Sequence, residues 1–148
     1  MTLASEVNPV VGVEEGVGAG ADALAAADRI IADFGEHRRE AYFAHFTPEA
    51  SFVFHNVAHR LESRAEYEEL WRQWESSGFR VHSCTSSNRR LQLLGTVAVF
   101  SHDVETVSEI DGESSTVHET ETIVLALAGG TWLGVHEHLS VRVDHVSG

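Results

Sequence analysis

An α+β fold, helices first and a meander of long strands after them, is what this sequence predicts, on three observations. Apolar residues recur at three- and four-residue steps only in the first half of the chain. From Phe79 onward they alternate with polar residues over long stretches. Two dipeptides suited to tight hairpins, Asp111-Gly112 and Gly129-Gly130, separate those stretches. The predicted architecture is cone-shaped: a strongly curved mixed or antiparallel sheet packed on three N-terminal helices, with an internal cavity and an open mouth.

The elements follow in order. Residues 1–20 are rich in Gly, Val and Ala without periodicity and read as a mobile tail ahead of a single domain over 21–148. Leu24, Ala27, Ile31 and Phe34 form a helical stripe, with Asp22 as its expected N-cap and Gly35 as its end. A shorter helix runs through Tyr42, Phe43 and Phe46 to Thr47-Pro48. Ser51–Asn56 reads as a strand. Ser63 is placed to cap a third helix, with Glu66 completing a capping box and Tyr67, Leu70, Trp71 and Trp74 forming its stripe. Strands are expected near 79–86, 89–94, 96–109, 116–128 and 132–143. Arg89-Arg90 reads as a solvated pair beside a turn, and Cys84 as a small side chain on a strand.

Composition narrows the function. The 148 residues carry a net charge of −13, with all ten basic residues arginine. Such a chain repels phosphate backbones and anionic lipid, which argues against nucleic-acid and membrane partners. One cysteine excludes an internal disulfide. No run is long and apolar enough to span a bilayer, and the N-terminus lacks a signal peptide's pattern, so a cytoplasmic location is expected. No phosphate loop, nucleophile triad or metal finger is present, and no cofactor is expected.

Sorting the long strands by face gives the candidate site. Ile123, Leu125, Leu127, Leu133, Val135 and Leu139 belong to the more apolar faces, which should pack on the helices. Glu121 and Glu137 share those faces, and Glu105 is assigned to them with them, beside Asp103 and Glu119. Carboxyls sheltered there would have raised pKa values and could exchange protons near neutrality, making Glu105, Glu121 and Glu137 the candidate catalytic residues. Phe52, Phe54, Asn56, Trp71, Trp74, Ile123 and Leu139 are the expected ligand-binding lining, with Asn56 orienting a polar group. The ligand expected is a small, apolar organic molecule, neutral or cationic. His102, His118, His136 and His138 are assigned to the opposite face, read first as a homodimer interface. A second reading places a metal on His118, His136 and His138, because His-x-His on a strand sets two imidazoles side by side.

Glu119-Thr120-Glu121-Thr122-Ile123-Val124, the Gly129-Gly130-Thr131-Trp132 turn and Val135-His136-Glu137-His138-Leu139-Ser140 resemble the nuclear transport factor 2-like superfamily, and its SnoaL-like branch in particular, over roughly residues 22–141. The closing strand is similar to that of the association domain of calcium/calmodulin-dependent protein kinase II. The resemblance implies a cone fold, a deep cavity and a homodimer joined through the outer sheet face. It implies no single chemistry. Where the ketosteroid isomerases of this superfamily place a basic carboxylate and a tyrosine, this chain has Phe54 and Ile30. Where its epoxide hydrolases flank an arginine with two acids, Glu105 and Glu121 supply acids but no arginine stands between them. The kinase association domain has pocket arginines where this chain has Ile123 and Leu139, which disfavours an anionic ligand. The expected activity, if catalytic, is metal-free acid–base chemistry of the isomerase, cyclase or dehydratase type. The alternative is a non-catalytic ligand carrier or a dimerising accessory domain.

Overall fold

Three helices and a six-stranded sheet make up the fold in the computed structural model, which describes residues 11–13 and 17–143. The helices are α1 (Val17–Gly35), α2 (Arg39–Ala44) and α3 (Arg64–Ser76). The strands are β1 (Val11–Val13), β2 (Phe46–Phe54), β3 (Arg80–Leu94), β4 (Val97–Ile110), β5 (Glu113–Ala128) and β6 (Thr131–Val141). Their spatial order is β1-β3-β4-β5-β6-β2, antiparallel from β3 to β6. The two outermost pairings, β1 with β3 and β2 with β6, are parallel, so the sheet is mixed.

Several boundaries move. The reading of residues 1–20 as a tail is corrected where they are described: Val11–Val13 pairs with Gln92–Leu94, and α1 begins at Val17, which puts Asp22 inside the helix rather than at its cap. The alanines and glycines that hid the period there are small enough to pack wherever they fall. Thr47-Pro48 does not end a helix but lies within β2, where an edge strand tolerates the missing N–H of proline. The two strands expected over 79–94 are one, β3, with register shifts before Ser83 and between Ser87 and Arg90. Ser63 does cap α3, accepting a hydrogen bond from the Glu66 N–H at 3.2 Å. The reciprocal bond runs one residue earlier than a capping box requires, from the Glu62 N–H to Glu66 Oε1.

Both hairpin turns form as expected, with positive φ at Asp111, Gly112, Gly129 and Gly130, the geometry that twists flanking strands the right way. They fix the pairing: Ile110 faces Glu113, and Ala128 faces Thr131. Along β6 a bulge at Val135 changes the count, since Leu125 faces Gly134 whereas Val124 faces His136. Trp132 and Gly134 therefore point inward before the bulge and Glu137 and Leu139 after it. Leu133 and Val135, expected in the core, are half-exposed instead. The packing reason is Phe46, whose ring lies on Gly134 so closely that a Cβ there would stand 2.6 Å from Cδ1.

The core lies between the helices and the concave face of the sheet. Ala23, Ala27 and Ile30 of α1 pack on it, with Leu91, Leu93, Phe100, Ile123 and Leu125 from the strands. Toward α2 and α3 the filling is aromatic: Tyr42, Phe43, Phe52, Tyr67 and Trp71 meet mostly edge to face, with centroids 4.6–6.1 Å apart. Glu75 of α3 ties that helix to α2 and to the turn before it, accepting from Trp71 Nε1 at 2.7 Å, Arg39 at 2.7 Å and His37 Nε2 at 2.8 Å.

Candidate functional site

The antiparallel pairing of β4, β5 and β6 decides which polar groups face inward. Because Ile110 opposes Glu113, counting back by pairs sets His102 opposite Glu121 and Glu105 opposite His118. His102 is therefore buried on the concave face and Glu105 is exposed on the convex one, the reverse of the expectation. Glu121 opposes Leu139 and Ile123 opposes Glu137, which makes Glu121 and Glu137 diagonal neighbours on one face.

A chain of hydrogen bonds joins these residues across six elements. Ser86 Oγ lies 2.6 Å from His102 Nδ1, and His102 Nε2 lies 2.6 Å from Glu121 Oε1. The Glu121 and Glu137 carboxyls are hydrogen-bonded to each other. Tyr42 donates to Glu137 Oε1 at 3.2 Å, and its oxygen lies 3.0 Å from that of Tyr67. Burial, then the Arg89 charge, pull the His102 pKa down to about 4, so the imidazole is neutral at pH 7. One proton arrangement satisfies every member. Ser86 donates to His102, His102 to Glu121, Glu137 to Glu121, Tyr42 to Glu137 and Tyr67 to Tyr42. Glu121 is then the carboxylate and Glu137 the acid. Burial raises the pKa of both carboxyls, and that of Glu137 rises further against the charge on Glu121. Burial likewise holds both tyrosines well above the ordinary phenol value.

The pair borders a hollow of about 150 Å³ between the sheet and the helices. Ile30, Ile31 and Phe34 of α1, Trp74 of α3, and Phe79 and Val104 supply apolar walls. Tyr42, Tyr67, Glu119, Glu121 and Glu137 supply the polar ones, and none of the lining residues is Lys, Arg or His. The volume matches an apolar cavity that admits a benzene-sized guest, so the enclosed part holds about one ring. At its rim Glu119 Oε2 takes a hydrogen bond from His55 Nε2 at 2.5 Å, with Asn56 exposed beside them. Cys84 also lines the wall, where burial pushes its thiol up and leaves it a poor nucleophile.

Of the expected lining, Phe54, Asn56, Trp74 and Leu139 border the hollow. Phe52, Trp71 and Ile123 do not: each is fully buried in the core beneath it. Arg89, expected in solvent, is 0% exposed; the irregularity at Asn88 (φ 52°) turns it under α1, against Asp28 and 5.2 Å from the Phe100 ring centre. The three histidines of the metal reading are not brought together. His136 and His138 have ring centres 6.1 Å apart, but His138 faces Thr122, four residues or about 13 Å along the strand from His118. Among the described residues no cluster of three or more His, Cys, Asp or Glu is placed to hold a metal ion. His102, Tyr42 and Ser86 went unassigned to the site. The hairpin register was the signal that could have found His102; no short-range pattern pointed to the other two.

Comparison with known proteins gives the lineage. No curated protein matches the sequence. Solved structures do. An NTF2-like protein of unknown function in nutrient uptake from Rhodospirillum rubrum is 18% identical, with a TM-score of 0.71 over 82% of this chain and 99% of that one. A ketosteroid isomerase-like protein from Erwinia carotovora is 14% identical, with a TM-score of 0.72 over 85% and 98%. The CamKII hub homology domain of Chlamydamonas reinhardtii is 22% identical, with a TM-score of 0.67 over 84% and 98%. At these identities the likeness is one of fold. The profile of the SnoaL-like domain matches residues 23–144, which takes in nearly every element described above. The chain belongs to the SnoaL-like domain family, and its fold is like that of NTF2-like proteins.

Proposed function

We propose that the hollow binds a small, largely apolar organic molecule of about one ring and that Glu121 and Glu137 exchange protons with it. The observation that supports this most is the pair itself: two carboxyls buried side by side, bordering open space rather than filled core. Two such groups cannot both ionise cheaply, so they hold one proton between them near neutrality. Glu121 takes a proton from the bound molecule and Glu137 returns one to a different atom. The pair ends with the proton count it began with, and the net change is an isomerisation, a cyclisation or a loss of water. Tyr42 keeps Glu137 oriented and His102 keeps Glu121 oriented. Asn56 at the rim engages a polar group of the ligand.

The test uses ligand-observed NMR with single-ring ketones and alcohols, on wild type and on Leu139→Trp, a substitution that fills the hollow. Binding by wild type and loss in a folded Leu139→Trp is the expected result. Equal binding by both would move the ligand elsewhere. Retained binding by Glu121→Gln and Glu137→Gln together with no turnover of any bound compound by wild type favours the carrier reading.

For the convex face we propose self-association. Val99, Val124, Ala126 and Leu133 stand there half-exposed in adjacent register, and several similar folds are association or hub domains. Sedimentation should give a dimer, and Val124→Glu should give a monomer.

A further inference from the structure

The hollow contains a buried carboxylate that has no cation of its own. Glu121 is 7% exposed, and its partners are an imidazole, held neutral by its surroundings, and a second carboxyl. Arg89, whose charge acts on His102, is held against Asp28 and the face of Phe100 and does not line the space. Buried charges in proteins are ordinarily matched by a counter-charge. Here the lining has three carboxyls, no base, and aromatic rings from Phe34, Phe54, Trp74 and Phe79. Ring faces carry the negative side of the aromatic quadrupole, so they attract cations and repel anions.

We infer that the ligand is an organic ammonium ion, a single-ring or similarly small amine whose charge completes Glu121 and whose body lies among the rings. This rests on the reading of the hollow as a ligand site and names the class of molecule it takes. A consequence follows for protons. A positive charge brought beside the pair favours the ionised form of both carboxyls, so binding releases the proton they share. The other titratable groups around the pair do not supply it. Tyr42 and Tyr67, from α2 and α3, and Cys84, from β3, are held protonated by burial; His102, from β4, is already neutral. Glu119, from β5, is engaged at the rim with His55, and α1 presents Ile30, Ile31 and Phe34 to the space.

The experiment compares three probes of one shape and different charge: benzylammonium, benzyl alcohol and benzoate. Calorimetry at pH 7 in buffers of different ionisation enthalpy gives affinity and proton count together. Benzylammonium should bind about tenfold tighter than benzyl alcohol, the equivalent of one pKa unit of coupling, and benzoate should not compete. About one proton should be released per amine bound and none on binding the alcohol. Glu137→Gln should still bind the amine yet release no proton, and Glu121→Gln should lose the preference for amine over alcohol. Benzyl alcohol binding as tightly as the amine, or amine binding without proton release, overturns the inference while leaving a ligand site in place. If none of the three binds at millimolar concentration, the proposed ligand site falls and this inference with it.

Discussion

Two histidine–glutamate pairs border the same concave face and differ in depth. His102 and Glu121 meet at 2.6 Å with side-chain exposures of 0% and 10%; His55 and Glu119 meet at 2.5 Å with 30% and 12%. The contact distances are nearly equal. What differs is the surroundings. The inner histidine is walled off from water and shares the field of Arg89, which favours the neutral ring, and its glutamate leans on a second carboxyl. The outer histidine is open to water, while Glu119 is nearly as buried as Glu121 and, among the described residues, has no second carboxyl hydrogen-bonded to it. The depth of the histidine and the second carboxyl turn the same two side chains from a part-buried contact into part of a proton-holding network.

Removing the histidine from each pair should show the largest contrast. His102→Leu leaves the Glu121 carboxylate buried without its donor and should cost about 2–3 kcal/mol in urea unfolding, whereas His55→Leu should cost less than about 1 kcal/mol. Equal losses would erase the distinction drawn from depth. Gly134→Ala tests the bulge that places Glu137 beside Glu121. The added methyl meets the Phe46 ring, with an expected loss of about 1–3 kcal/mol and an altered signal for the Trp132 indole.

The pH profile of stability sharpens the comparison further. The His102 pKa falls from 6.5 unfolded to about 4 folded, so its contribution is lost as pH drops through that window. Glu137 rises well above its unfolded value of 4.5, so its contribution is lost as pH climbs from there toward the folded value. Where these ranges overlap the groups act in opposite senses: His102 makes stability rise with pH, whereas Glu137, joined by Glu121, makes it fall. Above about 6.5 the histidine no longer opposes the two glutamates, and stability should decline toward their folded pKa values. Below 4.5 it should decline again, helped by Asp33 and Glu75, whose pKa values are lowered by their hydrogen-bonding partners. Thermal denaturation of Glu137→Gln should show no alkaline decline from this source; an unchanged alkaline limb would place the shared proton elsewhere. The smallest effect belongs to the convex face, where Glu105→Gln should shift stability by no more than about 0.5 kcal/mol.

Some of this was legible residue by residue. Asp111-Gly112 identified a two-residue turn, and such a turn fixes every pair behind it; His102 opposite Glu121 was implicit in the sequence once the turn was accepted. Grouping Glu105 with Glu121 ignored that register and followed apolar content alone, which valines on both faces of β4 made ambiguous. Glu137 was placed on the correct face by an alternation that happened to start after the bulge. Trp132 and Leu133 lie before it, and for them the same alternation fails. Arg89 followed the same pattern, since nothing local announces the turned backbone at Asn88.

By itself the sequence determined the helices' stripes, the long strands, the two tight turns and the acids on β5, because each is written within a few residues of chain. Tertiary packing decided the rest. Phe46 pressing on Gly134 accompanies the bulge in β6, and helices α2 and α3 bring Tyr42 and Tyr67 to a carboxyl on the last strand, with Tyr42 and Glu137 95 residues apart. Contacts of that span leave no periodic trace. They exist only where closing the sheet around the helices stabilises the chain more than a regular, unbulged ladder would.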